Sequence, residues 1–253
     1  MIIGVLHLKP LPGSPRYTSF EEVEAHSLRN ARRLEEGGVD AILVENYGDL
    51  PYLEKVGAET VACMTALLKD MRNEVSVPVG VNVLRNDSIS ASAIARAVKA
   101  EFIRVNQTIF PSASPEGFLS PQSAVLARYM RQIDLKVKIF ADVMVKHAVH
   151  LAGIEDYLEN IERAFADFIV VTGTSTGKPP GIEDVKIVKE RSHLPVFVGS
   201  GVNPENIEKF MEYADGFIVG TYFKDGEEVS VDKVRKLCIL ISESELNPSF
   251  FEL

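Results

Sequence analysis

The chain has 253 residues, 46% of them hydrophobic, which is enough to bury one large core. Its 27 Lys and Arg against 36 Asp and Glu give a formal net charge of −9. That balance excludes the broad basic face that grips nucleic acid or anionic lipid by counterion release, so any anion site must be local.

No apolar run approaches the roughly 20 residues that cross a bilayer, and the opening "MIIGVLHLKPLPGSP" lacks the basic start of a signal peptide. The expectation is a cytoplasmic protein with no integral membrane segment and no nucleic-acid partner. Cys63 and Cys238 lie far apart with no C-x-x-C pairing, and read as reduced thiols in helices.

In chain order, eight short runs rich in Val, Ile and Phe predict strands: "IIGVLHL" from Ile2, "AILVEN" from Ala41, "PVGVNVL" from Pro78 and "FIRVNQ" from Phe102. The second half continues with "KIFADVM" from Lys138, "FIVVTG" from Phe168, "PVFVGSG" from Pro195 and "GFIVGT" from Gly216. Their nearly continuous apolar character is that of strands covered on both faces.

Helical patterns lie between the runs. "SFEEVEAHSLRNARRLEEGG" repeats Val23, Leu28, Ala31 and Leu34 near a 3.6-residue period, with a capping box from Ser19 and Glu22 and a left-handed stop at Gly37 and Gly38. "IEDYLENIERAF" places Ile154, Tyr157, Leu158, Ile161 and Phe165 on one helix face. "NPENIEKFMEY" reads as a helix with Asn203 as N-cap and Pro204 at its first position.

Eight strand and helix alternations without a linker predict a single α/β domain over 1–253, a (β/α)8 TIM barrel, with a C-terminal tail at 243–253. An open doubly wound sheet is the rival, but "KPLPGSP" stands after the first run where G-x-G-x-x-G would be needed. Phe250 and Phe251 in the tail are expected to pack on the barrel or on a second subunit of a homo-oligomer.

Barrel ligands sit at the carboxyl ends of the strands, which nominates His7, Glu45, Asn46, Asn82, Arg85, Arg104, Asn106, Asp142, Lys146, His147, Thr172, Ser200 and Thr221. In "ADVMVKH", Asp142 and His147 can exchange protons while Lys146 neutralises an enolate or phosphate; the plainer alternative is an Asp142–Lys146 salt bridge. Arg85 and Arg104 attract an anionic substrate, or instead pair with Glu45, Asp87 or Asp142. His7, Glu45 and Asp142 could gather a divalent metal, but without H-x-H or D-x-D spacing no cofactor is predicted.

"VGSGV" with Gly199, Ser200 and Gly201, and "IVGT" with Gly220 and Thr221, end the seventh and eighth runs, where many barrels hold a phosphate on backbone amides. Two tight turns are the plainer reading of these glycines. "TGTSTGKPPGIED", opening at Thr172 and Gly173, is not a Walker loop, because three residues separate Gly173 from Gly177 and Pro179 follows Lys178. It reads instead as a lid over a bound ligand.

The blocks "GVLHLKPLPGSPRY", "VDAILVENYGDLPY", "VGVNVLRNDS", "ADVMVKHA", "VVTGTSTG" and "VGSGVNPEN" occur in this order along nearly the whole chain, which resembles the BtpA family. The resemblance implies a phosphate-binding-type barrel. It also implies members linked to photosystem I biogenesis and others that sit with sugar or nucleoside metabolism, and it assigns no catalytic role to any residue.

The expected function is therefore an enzyme acting on a small phosphorylated sugar or nucleoside-like compound by acid/base chemistry, as a lyase, isomerase or transferase. The alternatives are a non-catalytic assembly factor and a phosphometabolite sensor.

Overall fold

A computed structural model describes residues 1–242, so the expectation for Phe250 and Phe251 lies outside the described residues. All eight apolar runs are strands of one closed parallel barrel: β1 (Ile2–His7), β2 (Ala41–Glu45), β3 (Val79–Asn82), β4 (Phe102–Val105), β7 (Lys138–Val143), β9 (Phe168–Val171), β10 (Val196–Val198) and β11 (Gly216–Val219). They pair in chain order, and β1 closes the circle between β2 and β11. The intervening helices are α1 (Phe20–Gly37), α2 (Ala58–Glu74), α3 (Ser88–Val98), α4 (Ser123–Gln132), α5 (Ile154–Glu159), α6 (Ile182–Arg191), α7 (Ile207–Met211) and α8 (Val231–Ser242).

The two-residue strand period sorts the core into two bodies. Outward residues such as Ile42, Val44, Ile103, Val105, Ile169 and Val171 join the helices in one cluster. Inward residues, among them Ile3, Val5, Leu43, Phe102, Phe140, Phe168 and Phe197, form a second cluster inside the barrel. There the Phe140 ring stacks on Phe168 at 4.3 Å and meets Phe197 edge-on at 5.0 Å, which plugs the interior.

Two residues beyond Val5, Leu43, Gly80, Phe102 and Phe140 the same inward positions carry His7, Glu45, Asn82, Arg104 and Asp142. The phenylalanine plug is thus the floor beneath a polar layer.

Local chemistry matches the predicted helix ends in part. Ser19 Oγ accepts from the Glu22 amide at 3.1 Å, and Gly38 alone takes the left-handed turn, with φ 95°. The capping box is only half formed, because the Glu22 carboxylate reaches Lys9 and Thr18 instead. Ser19→Ala is expected to lower unfolding free energy by about 1 kcal/mol in urea titrations, the usual cost of a lost N-cap.

The predicted helix through Phe165 breaks after α5 into a 3-10 turn at Ile161–Ala164. Phe165 then adopts φ 53° and lies 67% exposed rather than on the buried face. Asn203 does start a turn, its Oδ1 accepting from the Glu205 amide at 2.9 Å, but regular helix begins only at Ile207.

Two excursions lacked a readable period: β5 (Ser112–Ser114) with β6 (Gly117–Leu119), and β8 (Val149–His150). They join as a small antiparallel sheet beside the barrel mouth. A second hairpin, β12 (Lys224–Asp225) with β13 (Glu228–Val229), precedes α8.

Candidate functional site at the barrel mouth

The polar layer is organised around Arg104, which is 3% exposed. Its Nε and Nη2 donate to the two oxygens of Asp142 at 2.8 and 3.1 Å, and Nη1 donates to Glu45 Oε1 at 3.2 Å. Asn82 Nδ2 donates to the same Glu45 oxygen at 3.0 Å, and Asn106 Nδ2 to Asp142 Oδ2 at 2.9 Å. Burial pulls the Arg104 pKa down, but Asp142 and Glu45 outweigh it and hold the guanidinium above its ordinary value.

This geometry decides several of the sequence alternatives. Asp142 has both oxygens engaged, by Arg104 and Asn106, and its side chain is closed to solvent. The Asp142–Lys146 salt bridge does not form; Asp142 pairs with Arg104 instead. A divalent cation does not suit the Glu45 and Asp142 pair, because the Arg104 guanidinium already bridges them, and no group of three metal-ligating side chains forms among the described residues.

Asn46 is a brace. It accepts from the Leu84 amide at 2.7 Å and donates to Leu84 O and Asp49 Oδ2, tying β2 to the chain after β3.

Above the layer a cavity of about 390 Å³ opens between Glu45, Arg104, Asn106, Arg85, Lys146 and His147. Two residues that strand-end reasoning does not reach, Tyr52 and Glu116, also line it. Glu116 comes from the turn between β5 and β6, and its Oε2 lies 3.5 Å from Arg85 Nε. Arg85 Nη2 also donates to the Lys146 carbonyl. Asn106 Oδ1 is buried without a donor.

A wider cleft of about 590 Å³ lies elsewhere, lined by Lys99, Glu101, Lys138 and Asp167 where β4 and β7 begin, away from the strand ends that carry this chemistry.

Lys146 Nζ has no ion pair or hydrogen bond among the described residues. Burial lowers its pKa, the Arg104 and Arg85 charges push the same way, and Glu45 and Asp142 oppose them. His7 is also held well below its ordinary pKa, first by burial and then by Lys224, Lys146 and Arg104, so the imidazole is neutral at pH 7. Its Nε2 stands 3.8 Å from Glu45 Oε2, and its ring lies 4.2 Å from that of Tyr47.

The 173–181 loop is folded down across the neighbouring strand ends. His147 N donates to Thr174 O and Thr176 N donates to His147 Nε2, both at 3.1 Å, while Ser200 Oγ donates to Ser175 O at 3.4 Å. Thr172 Oγ1 donates to Met144 O at 3.4 Å.

Close packing explains part of the glycine pattern. A Cβ on Gly201, whose φ is +64°, would sit 2.2 Å from Pro179 N, and one on Gly173 would sit 2.1 Å from Lys178 O. Gly199 packs on Val170 and Thr172, and Gly220 on His7. The Ser200, Gly201 and Thr221 amides, by contrast, have no acceptor among the described residues. Thr221–Phe223 forms a short 3-10 turn after the eighth barrel strand.

His147 is clamped through its unprotonated Nε2, and burial, reinforced by Arg85 and Lys146, lowers its pKa below 6.5. With the folded value depressed, the clamp is complete above 6.5 and weakens as pH falls below it, because the open loop takes up the proton first. Amide exchange at Thr176 is therefore expected to speed up between pH 7 and 5 in the wild type, and to be fast and pH-flat, after correction for intrinsic rates, in His147→Ala.

A closed parallel barrel with its polar constellation at the strand carboxyl ends defines a TIM barrel. The chain belongs to the BtpA family, whose model matches residues 1–243.

An uncharacterized protein of Archaeoglobus fulgidus is 48% identical over 236 residues, covering 93% of this chain and 96% of that one. Photosystem I biogenesis protein BtpA of Synechocystis sp. is 39% identical over 242 residues, covering 92% and 84%. Among solved structures, thiamine phosphate pyrophosphorylase from Pyrococcus furiosus superposes with a TM-score of 0.61 at 17% identity, over 96% of this chain and 95% of that one. N-(5'-phosphoribosyl)anthranilate isomerase from the same organism gives 0.62 at 13% identity, over 96% and 99%. No helix among the described residues is long and apolar enough to cross a membrane.

Proposed function

We propose that the protein is an enzyme that binds a small phosphorylated sugar or nucleoside-like compound at the barrel mouth and transforms it by acid/base chemistry, as a lyase, isomerase or transferase. The observation that carries this reading is the set of unpaired amides at Ser200, Gly201 and Thr221, just after β10 and β11, at the same end of the barrel as the cavity that Lys146 and Arg85 line. Unpaired amides are ready donors to a phosphate, and two cations in an acidic protein give the remainder of an anion a place to rest.

In this reading Ser200, Gly201, Gly220 and Thr221 hold the phosphate, while Arg85 and Lys146 stabilise negative charge that develops on the substrate. Glu116 and His147 are the proton carriers facing the cavity, Asp142 and Glu45 keep Arg104 in place, and the 173–181 loop excludes water. The names of the two solved barrels above, one a phosphate pyrophosphorylase and one a phosphoribosyl isomerase, support a phosphorylated ligand at the level of fold.

Thermal-shift measurements against phosphosugars, nucleotides and inorganic phosphate test the reading. A ligand at about 100 times its Kd adds about 2.7 kcal/mol of stability, and the absence of a shift with every phosphate compound overturns it.

A second reading, a non-catalytic assembly factor in a homo-oligomer or larger complex, draws on one observation. Phe118 and Val149 both register with Ala113 on the small sheet, and they and Leu151 are more than half exposed. If Asp142→Ala and Ser200→Asp both left function intact in a cell-based assay, this second reading would replace the first.

A further inference from the structure

We propose that Lys146 is a nucleophile whose side-chain amine condenses with a carbonyl group of the ligand, so that the substrates are phosphorylated aldehydes or ketones; this rests on the phosphate-site reading above.

The placement of Lys146 sets it apart from a surface lysine. It follows β7 between Met144 at φ 55° and His147 at φ 58°, two non-glycine residues in the left-handed region, and Arg85 holds its backbone carbonyl. Such backbone is uncommon and persists where the surroundings over-determine it. Lys146 lines the 390 Å³ cavity together with Arg85, Arg104 and Glu45.

Some partly buried lysines rest on carboxylates, as Lys138 does on Asp167 at 3.3 Å and Lys189 on Asp215 at 2.7 Å, while Lys224 stands over the Tyr47 ring at 5.8 Å. Lys146 has no such partner, and its charged neighbours in the cavity include the Arg104 and Arg85 guanidiniums. Burial and these like charges favour the neutral amine against Glu45 and Asp142; that is the form that attacks carbonyl carbon, and protonation of the resulting imine returns to this position the positive charge that stabilises an anionic substrate.

The remaining groups suit the reaction. The Lys146 nitrogen lone pair adds to the carbonyl carbon, the C–O π pair moves onto oxygen, and a proton passes from nitrogen to that oxygen to give a carbinolamine. The nitrogen lone pair then forms the C=N bond as the hydroxyl leaves, and with the second amine proton it departs as water. No oxidant or reductant is consumed, and addition of water reverses the step.

Glu116 Oε2, which lies in the same cavity without a hydrogen-bond donor, is placed to relay the proton to the leaving oxygen. The unpartnered Asn106 Oδ1 is placed to accept from a substrate hydroxyl. An imine draws electrons from the adjacent carbon, which is the activation that a lyase or isomerase of a phosphorylated sugar needs.

The test incubates the full chain at pH 7 with glyceraldehyde 3-phosphate and sodium cyanoborohydride, which reduces an imine to a stable amine, and maps the adduct by peptide mass spectrometry. The expected result is modification of Lys146 at least about tenfold above exposed Lys178, since a ligand bound in the cavity holds its carbonyl against this amine. Lys146→Met is expected to reduce total modification to the level of the exposed lysines.

Modification of exposed lysines with Lys146 untouched in the wild type overturns the proposal, and this result does not depend on the variant folding. A parallel thermal shift with inorganic phosphate separates the two claims. A shift without the adduct overturns the imine alone, the adduct without a shift overturns the phosphate site alone, and the absence of both overturns both.

Discussion

Replacing Arg104 with leucine is expected to destabilise the protein by about 3–5 kcal/mol, the typical cost of removing one partner from a buried ion cluster. The size follows from what remains. Glu45 and Asp142 would face one another across the barrel, each among buried neighbours, with only Asn82 and Asn106 as hydrogen-bond donors from this layer. The phenylalanine plug beneath them gives no route for water from below.

Arg104→Lys is expected to cost less but still to weaken the layer, because an ammonium cannot make the paired Nε and Nη2 contacts to Asp142. The cost should also be conditional on the carboxylates. Adding Glu45→Gln and Asp142→Asn to Arg104→Leu removes both orphaned charges and is expected to recover most of the loss. Urea unfolding followed by circular dichroism measures all three variants. A change within about 0.5 kcal/mol for Arg104→Leu alone would contradict the view that this triad is closed and mutually dependent.

Ser200→Asp is expected to lower affinity for a phosphorylated ligand by at least about 100-fold, equivalent to about 2.8 kcal/mol at ten-fold per 1.4 kcal/mol. A carboxylate at this buried position would stand beside the unpaired Ser200 and Gly201 amides that the proposed site offers to a phosphate, and like charges at such a contact cost several kcal/mol.

Ser200→Ala separates backbone from side chain. It removes the 3.4 Å contact from Oγ to Ser175 O but leaves the amides in place, so affinity should stay within a few-fold of the wild type. Isothermal titration of both variants with ribose 5-phosphate decides the point. Equal binding by Ser200→Asp and wild type would remove these amides from the site.

The barrel was legible because each strand announces itself as a short apolar run, and eight such runs in regular alternation with helices leave few topologies. The polar layer was legible by position, since His7, Glu45, Asn82, Arg104 and Asp142 all end apolar runs. What those residues do with one another was not. Whether Asp142 meets Lys146 or Arg104 depends on strand order and tilt, and β4 lies directly beside β7 with Arg104 opposite Phe140, so that the guanidinium reaches one step along to Asp142.

Glu116 escaped notice for a related reason. It sits in a turn of a hairpin whose strands are three residues long, too short for any period, and only the folding of that hairpin beside the mouth brings it near Arg85. The glycines carried two meanings at once. Gly173 and Gly201 are needed for close approach of the 173–181 loop, while the adjacent amides are left unpaired, and composition alone cannot divide these roles.

Amide NMR titration of the 15N-labelled protein tests the central claim most directly, with ribose 5-phosphate as ligand and ribose as its control. Saturable shifts of the Ser200, Gly201 and Thr221 amides with the phosphorylated sugar, and none with ribose, are the predicted result. Unmoved resonances at these three positions while the phosphorylated sugar binds elsewhere, or binds nowhere, would contradict it.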